Sequence, residues 1–110
     1  MENKSLNTKY VFEFADGTTT EMTLSFYHLY MLKNKNKALY DRHNQYMTRM
    51  SSQKGVIYDE VETILALYVA YVCAHLNDES IMTEEEFVLK CGSDRMAVGK
   101  AFKALLQPKN

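Results

Sequence analysis

The sequence predicts an α+β fold, mostly helical, in which an N-terminal β-hairpin is followed by four to five α-helices. Three observations predict it. Aromatic and aliphatic residues alternate along two short runs that flank Asp16-Gly17. From Leu29 onward the apolar positions recur by threes and fours. The run from Ile64 to Ala74 is apolar nearly all round, the mark of a central buried helix.

The hairpin comes first. Tyr10, Phe12 and Phe14 alternate with Val11 and Glu13, and Thr20, Met22, Leu24 and Phe26 alternate with Glu21, Thr23 and Ser25. Period-two alternation is the strand signal. Ala15-Asp16-Gly17-Thr18 joins the runs, and Asp-Gly suits a turn that needs positive φ, which glycine supplies without steric cost. A lone two-stranded hairpin is marginal in water, so its aromatic face requires helices or a partner chain to cover it.

After Phe26 the period changes. Leu29, Leu32, Leu39, His43, Met47 and Met50 fall on one helical face. A short helix, a break near Asn36 and a second helix through Met50 are expected, then a loop over Ser51-Ser52-Gln53-Lys54-Gly55. A third helix is predicted over residues 59–76, its N-terminus favoured by Asp59, Glu60 and Glu62. Thr83 and Glu86 have capping-box spacing, so a fourth helix starts at Glu84, with Gly92 suited to close it in the left-handed conformation. Asp94 caps a fifth helix over 95–106 with Val98, Phe102 and Leu105 inward, and Pro108 prevents its continuation. The expected organisation is a flexible N-terminus over 1–9, a single domain over 10–107 and a C-terminal tail over 108–110.

Composition narrows the function classes. Of 110 residues, 46% are hydrophobic and 25% charged, near the globular average, and the net charge of −1 gives no overall pull toward nucleic acid or anionic lipid. Met1-Glu2-Asn3-Lys4 has no apolar run behind it, so no secretory signal is expected. The Ile64–Ala74 run is about half the ~20 residues that a membrane span requires. Cys73 and Cys91 make no disulfide framework, and Cys73 reads as a buried free thiol in a reducing compartment.

Signatures of chemistry are sparse. His28, His43 and His75 are scattered; Cys73 and His75, the nearest approach to a metal pair, point about 200° apart on a helix. Glu84-Glu85-Glu86 is the densest carboxylate cluster and reads as a first helical turn. There is no nucleophile elbow, phosphate loop or dinucleotide fingerprint. No catalytic residue, cofactor or metal is therefore expected.

Residues 85–106 have helix-turn-helix spacing, with Gly92 and Val98 at the turn-glycine and buried-aliphatic positions. Val88 and Ser93 depart from that motif, and three glutamates would face an anionic backbone; Arg95, Lys100 and Lys103 are few for a DNA reader. The basic run Lys33-Asn34-Lys35-Asn36-Lys37 lacks interleaved aromatics and reads as a solvated turn.

Seven methionines and eight tyrosines are many for this length. Tyr30, Tyr40, Tyr46, Met47 and Met50 crowd one helical segment. Two readings of them stand: core filling, or a partner-binding face, since methionine adapts to varied partners and tyrosine adds contact area with a wet tip.

Several stretches together carry a resemblance. They are Phe12-Glu13-Phe14-Ala15-Asp16-Gly17-Thr18, Leu29-Tyr30-Met31-Leu32-Lys33-Asn34-Lys35-Asn36-Lys37 and Tyr40-Asp41-Arg42-His43-Asn44. Leu67-Tyr68-Val69-Ala70-Tyr71-Val72-Cys73-Ala74, Thr83-Glu84-Glu85-Glu86-Phe87 and Ala104-Leu105-Leu106-Gln107-Pro108-Lys109 follow. In this order they resemble the tail assembly chaperones of siphophages and prophages of Gram-positive bacteria. The resemblance implies a non-catalytic protein of the host bacterial cytoplasm. Its partner would be the long helical tape measure protein, kept soluble until the tail tube assembles. Many siphophages make a longer form of this chaperone by ribosomal frameshifting near the end of the reading frame, and Pro108-Lys109-Asn110 can be encoded with a run of adenines that would allow it. Self-association through an open hairpin edge is compatible with the resemblance. The alternatives are a prophage helix-turn-helix DNA-binding regulator and a structural tail or connector subunit.

Overall fold

The computed structural model describes residues 9–52 and 60–106, with side chains for 9–49 and 60–106. An antiparallel hairpin of β1 (Tyr10–Glu13) and β2 (Thr19–Met22) is followed by α1 (Phe26–Lys35), α2 (Lys37–Ser52), α3 (Glu60–Ala74), α4 (Glu84–Cys91) and α5 (Arg95–Leu106). The fold is α+β and mostly helical. The expected flexible segment up to residue 8, residues 53–55 of the expected loop, the Asp59 helix start and the Pro108 stop lie outside the described residues.

Register pairs Tyr10 with Met22, Phe12 with Thr20 and Glu13 with Thr19. Phe14 N donates to Thr18 O at 2.8 Å and Gly17 N donates to Phe14 O at 3.0 Å, while Gly17 has φ 89°. This is a three-residue loop, a turn completed by a glycine bulge, so only Gly17 needs positive φ. Asp16 Oδ1 accepts from both the amide and the hydroxyl of Thr18, which holds the Asp16 carboxyl below its ordinary range. The alternation delivers the expected inner face: Phe12, Phe14 and Met22 are buried and Val11 and Glu13 are outside.

The second strand ends sooner than its alternation suggests. Thr23 N leaves the ladder and donates to Ala70 O of α3 at 3.1 Å. Ser25 then caps α1, its hydroxyl accepting from His28 N at 3.3 Å. Phe26 is consequently the first helical residue, not a strand residue facing the core, and is 86% exposed. At the other end of α1 the expected break falls on Asn36. Its amide donates to Leu32 O at 2.7 Å and its side-chain oxygen accepts from Leu39 N at 3.2 Å, so one residue stops α1 and caps α2. The helix α2 continues through Ser51 and Ser52, two positions expected in a loop.

Helix α3 is the centre of the core, with Ala66, Leu67, Val69, Ala70, Tyr71, Val72 and Cys73 all buried. It contacts β2 and every other helix. Above it lies an aromatic cluster. Phe14 meets Phe87 edge-on at 5.6 Å between ring centroids, and Tyr68 and Tyr71 each stand 5.5 Å from Phe87. Such pairs add about 0.5–1.5 kcal/mol each beyond burial. The link to α4 is pinned by α3 itself: Tyr68 Oη donates to Met82 O, and Met82 N donates to Tyr71 Oη, both at 2.9 Å.

The capping box of Thr83 and Glu86 is complete in both directions. Asp94 caps α5 by accepting from Ala97 N at 3.0 Å, and Val98 and Phe102 are buried beneath that helix. Gly92 ends α4 with φ 64° but ψ −136°, so its φ is positive as expected while its ψ lies outside the left-handed helical region.

Candidate functional site

The sequence-selected residues do not form one surface. Tyr30 is 63% exposed on α1. Tyr40 is half-buried against the core, with Lys33 Nζ 5.5 Å from its ring centroid. Tyr46 is only 7% exposed; its hydroxyl shares a 3.0 Å hydrogen bond with the buried Thr63 hydroxyl, and its ring stands 6.1 Å from Phe102. Tyr46 is therefore a core residue, and its placement does not present it to a partner. Met47 packs half-buried against the same core. Met50 lies in α2, with its side chain outside the described set.

Two aromatics that the periodicity did not select stand with Tyr30. Phe26 is largely exposed and Tyr27 is half-exposed. Residues 26 and 30 are one helical turn apart, so their side chains are neighbours on one face of α1, with Tyr27 beside them. The signal for this was Ser25, a favoured N-cap residue immediately before Phe26. On the inner side of the same turn His28 Nδ1 lies 2.6 Å from the Ser25 hydroxyl, and burial, with Lys9 nearby, lowers the His28 pKa.

The basic run beside this face is engaged within the fold. Lys35 Nζ donates to Leu76 O at 3.4 Å and Asn77 Oδ1 at 3.2 Å, at the end of α3. Lys37 pairs with Asp41 at 2.7 Å. This agrees with a solvated turn that also favours the negative end of a helix.

One polar arrangement has the order hydroxyl, imidazole, carboxylate. Thr20 Oγ1 lies 3.0 Å from His75 Nε2, and His75 Nδ1 lies 2.7 Å from Asp78 Oδ2. A nucleophile, base and orienting group share that connectivity. Here the three join β2 to the turn after α3: His75 N donates to Val72 O and Asp78 N donates to His75 O, each at 3.0 Å. The imidazole also packs 4.9 Å from the Tyr71 ring. The arrangement functions as a clamp between hairpin and helix.

A cavity of about 10 Å³ lies elsewhere, lined by Leu39, His43, Tyr46, Leu65, Ala66 and Val69, with Arg42 and Glu62 at its side. His43 Nδ1 is buried with no hydrogen-bond partner among the described residues, and burial lowers its pKa. Cys73 and Cys91 are buried free thiols, pushed up by burial to about 12 and about 11. Among the described residues no group of three or more His, Cys, Asp or Glu side chains is placed to hold a metal, and no helix is long and apolar enough to cross a membrane.

Helices α4 and α5 both pack on α3, and their polar ends are tied to other helices. Glu84 pairs with Arg42 and Arg95 pairs with Glu60, each at 2.6 Å. Leu89 on α4 and Met96 on α5 are exposed, at 75% and 84%. In comparisons with protein-family models, with curated proteins and with solved structures, the chain has no match.

Proposed function

We propose that this protein is a non-catalytic tail assembly chaperone of a tailed phage or prophage, which binds the tape measure protein and keeps it soluble until the tail tube forms. The ordered stretches quoted above, which run through nearly the whole chain after residue 9, support this reading. The single structural observation behind it is the exposed aromatic face of α1.

Isolated apolar residues on a surface are ordinary. Phe26 and Tyr30 are two large aromatics one turn apart, with Tyr27 adjoining, and the core does not use them. An amphipathic client helix offers apolar side chains with the same spacing by threes and fours. Fully burying a large apolar side chain contributes about 1.5–3 kcal/mol. Two or three such side chains give a reversible hold, which suits a chaperone that must leave as the tube subunits polymerise. The client face in this reading is Phe26, Tyr27 and Tyr30, and Tyr46 serves the core.

The test is dilution of the denatured tape measure protein into buffer with and without this chain, followed by light scattering. Near-stoichiometric suppression of aggregation is expected, lost in a Phe26→Ser/Tyr30→Ser variant. Equal scattering with and without the chain would remove the proposal. Purified particles should lack the protein, whereas a tail or connector subunit would remain in them.

A further inference from the structure

Each strand of the hairpin has an outer edge, and charge tells the two edges apart. Because Phe14 N donates to Thr18 O, hydrogen-bonded pairs in the ladder are Phe14 with Thr18, Phe12 with Thr20 and Tyr10 with Met22. Backbone groups of alternate residues point the other way. On β2 the outward residues are Thr19 and Glu21, beyond which Thr23 N donates to Ala70 O of α3; a two-fold pair centred on this edge would set Glu21 against Glu21. On β1 it carries the amides and carbonyls of Val11 and Glu13, and among the described residues no backbone hydrogen bond reaches them. The next outward amide, Ala15 N, is taken by Lys90 O at 3.0 Å. The open stretch therefore stops before Ala15 and has Val11 near its middle.

We infer that this edge is a self-pairing surface, on which β1 of a second copy adds antiparallel about a two-fold axis at Val11, making a continuous four-stranded sheet. The occupant follows from charge and register. In an antiparallel pair centred on residue 11, position 9 of one copy faces position 13 of the other. Lys9 thus meets Glu13 of the second copy, twice by symmetry, and Val11 meets Val11. All three are exposed, and Val11 is 62% so. On the inner face Tyr10 stands opposite Phe12 of the second copy.

The hydrogen-bond phase agrees independently. Edge pairing needs outward-pointing groups to meet outward-pointing groups. Residues 9, 11 and 13 all belong to that set, so this register lets Val11 exchange both its bonds with its symmetry mate. A shift by two residues toward the turn would bring in Ala15, whose amide is already used by Lys90. Edge strands are commonly blunted by lone charges. Here the two charges have opposite sign and are equidistant from Val11, so they match under a two-fold axis and mismatch in other registers. The existing Lys9–Glu21 pair, at 3.4 Å between exposed side chains, is a weak competitor. A closed isologous dimer of this kind uses up the β1 edge of both copies.

This inference does not rest on the chaperone reading, and its test needs no client. Sedimentation of the full chain over a concentration series should show a monomer–dimer equilibrium. Val11→Pro removes an outward amide that the β1–β2 ladder does not use, so it should abolish the dimer while circular dichroism and melting stay near those of the parent. Glu13→Lys places like charges opposite each other twice, and should weaken the dimer roughly five- to thirtyfold. Mixing Glu13→Lys with Lys9→Glu should restore association as a heterodimer. A chain that is monomeric throughout overturns the inference. So does a dimer indifferent to Val11→Pro and Glu13→Lys, which would use another face, such as the α1 aromatics.

Discussion

Ala15 and Gly92 meet where the hairpin turn crosses the end of α4: a Cβ on Gly92 would stand 2.8 Å from the Cβ of Ala15. Ala15 N bonds Lys90 O beside this contact, Lys90 Nζ reaches Asp16 at 3.5 Å, and the same ammonium lies 4.8 Å from the Phe14 ring centroid. The turn is therefore seated on the last turn of α4 through backbone, charge and ring together. Gly92→Ala adds both the close contact and a side chain at φ 64°. Backbone strain of that kind costs about 1–3 kcal/mol. We expect the melting temperature to fall by roughly 5–15 °C. Adding Ala15→Gly should recover only the part due to the contact. An unchanged melting temperature would contradict this packing.

The buried His43 makes stability depend on pH. Its pKa is lowered from 6.5 by burial, so the unfolded chain takes up a proton more readily than the folded one. Stability is held above about pH 6.5 and is lost as pH falls through the lower, folded value. Urea midpoints at pH 7.5, 6.5 and 5.5 should decline in that direction. His28, also lowered by burial and by Lys9, adds to the same slope. His43→Leu should reduce the slope and, by removing an unpaired buried nitrogen, leave stability at pH 7.5 equal or higher. An identical slope in parent and variant would exclude His43 as a source.

Both thiols should be inert in the native protein. Cys73 and Cys91 are each 1% exposed, and burial keeps them protonated at neutral pH. A disulfide reagent should titrate almost none of them in buffer and both in denaturant. Rapid reaction of either under native conditions would contradict the packing of α3 or α4.

The core and the exposed face should separate by mutation. Tyr46→Ala removes a buried ring and its bond to Thr63, and should cost about 3–5 kcal/mol. Phe26→Ser and Tyr30→Ser should leave the urea midpoint nearly unchanged, because the core does not use those side chains. Equal destabilisation by all three would show that α1 is covered in the free protein.

These contrasts show what was legible in the chain. Local signals read well: the Thr83–Glu86 capping box, the Asp94 cap, the Asn36 break and the Phe12–Phe14 alternation each act within a few residues. The features that were misread or left open depend on distant contacts. Phe26 continued the strand alternation, but the strand is ended by Thr23 bonding Ala70 on α3. Tyr46 left two readings open, core filling or a partner face, and the first holds because it lies three residues after His43, on the face that meets Thr63 and Phe102. The ψ of Gly92 accompanies a close approach to Ala15, a residue far away in the sequence. An open hairpin edge was legible in the chain, but its register needed the ladder phase and the Ala15–Lys90 bond.

The most direct test of the proposed function is co-expression of this chain with a siphophage tape measure protein, followed by affinity purification. The account predicts that the large protein becomes soluble only in its presence, that the two elute together, and that Phe26→Ser/Tyr30→Ser separates them while this chain stays folded. A large protein whose solubility is indifferent to this chain, with this chain eluting alone, would contradict the account.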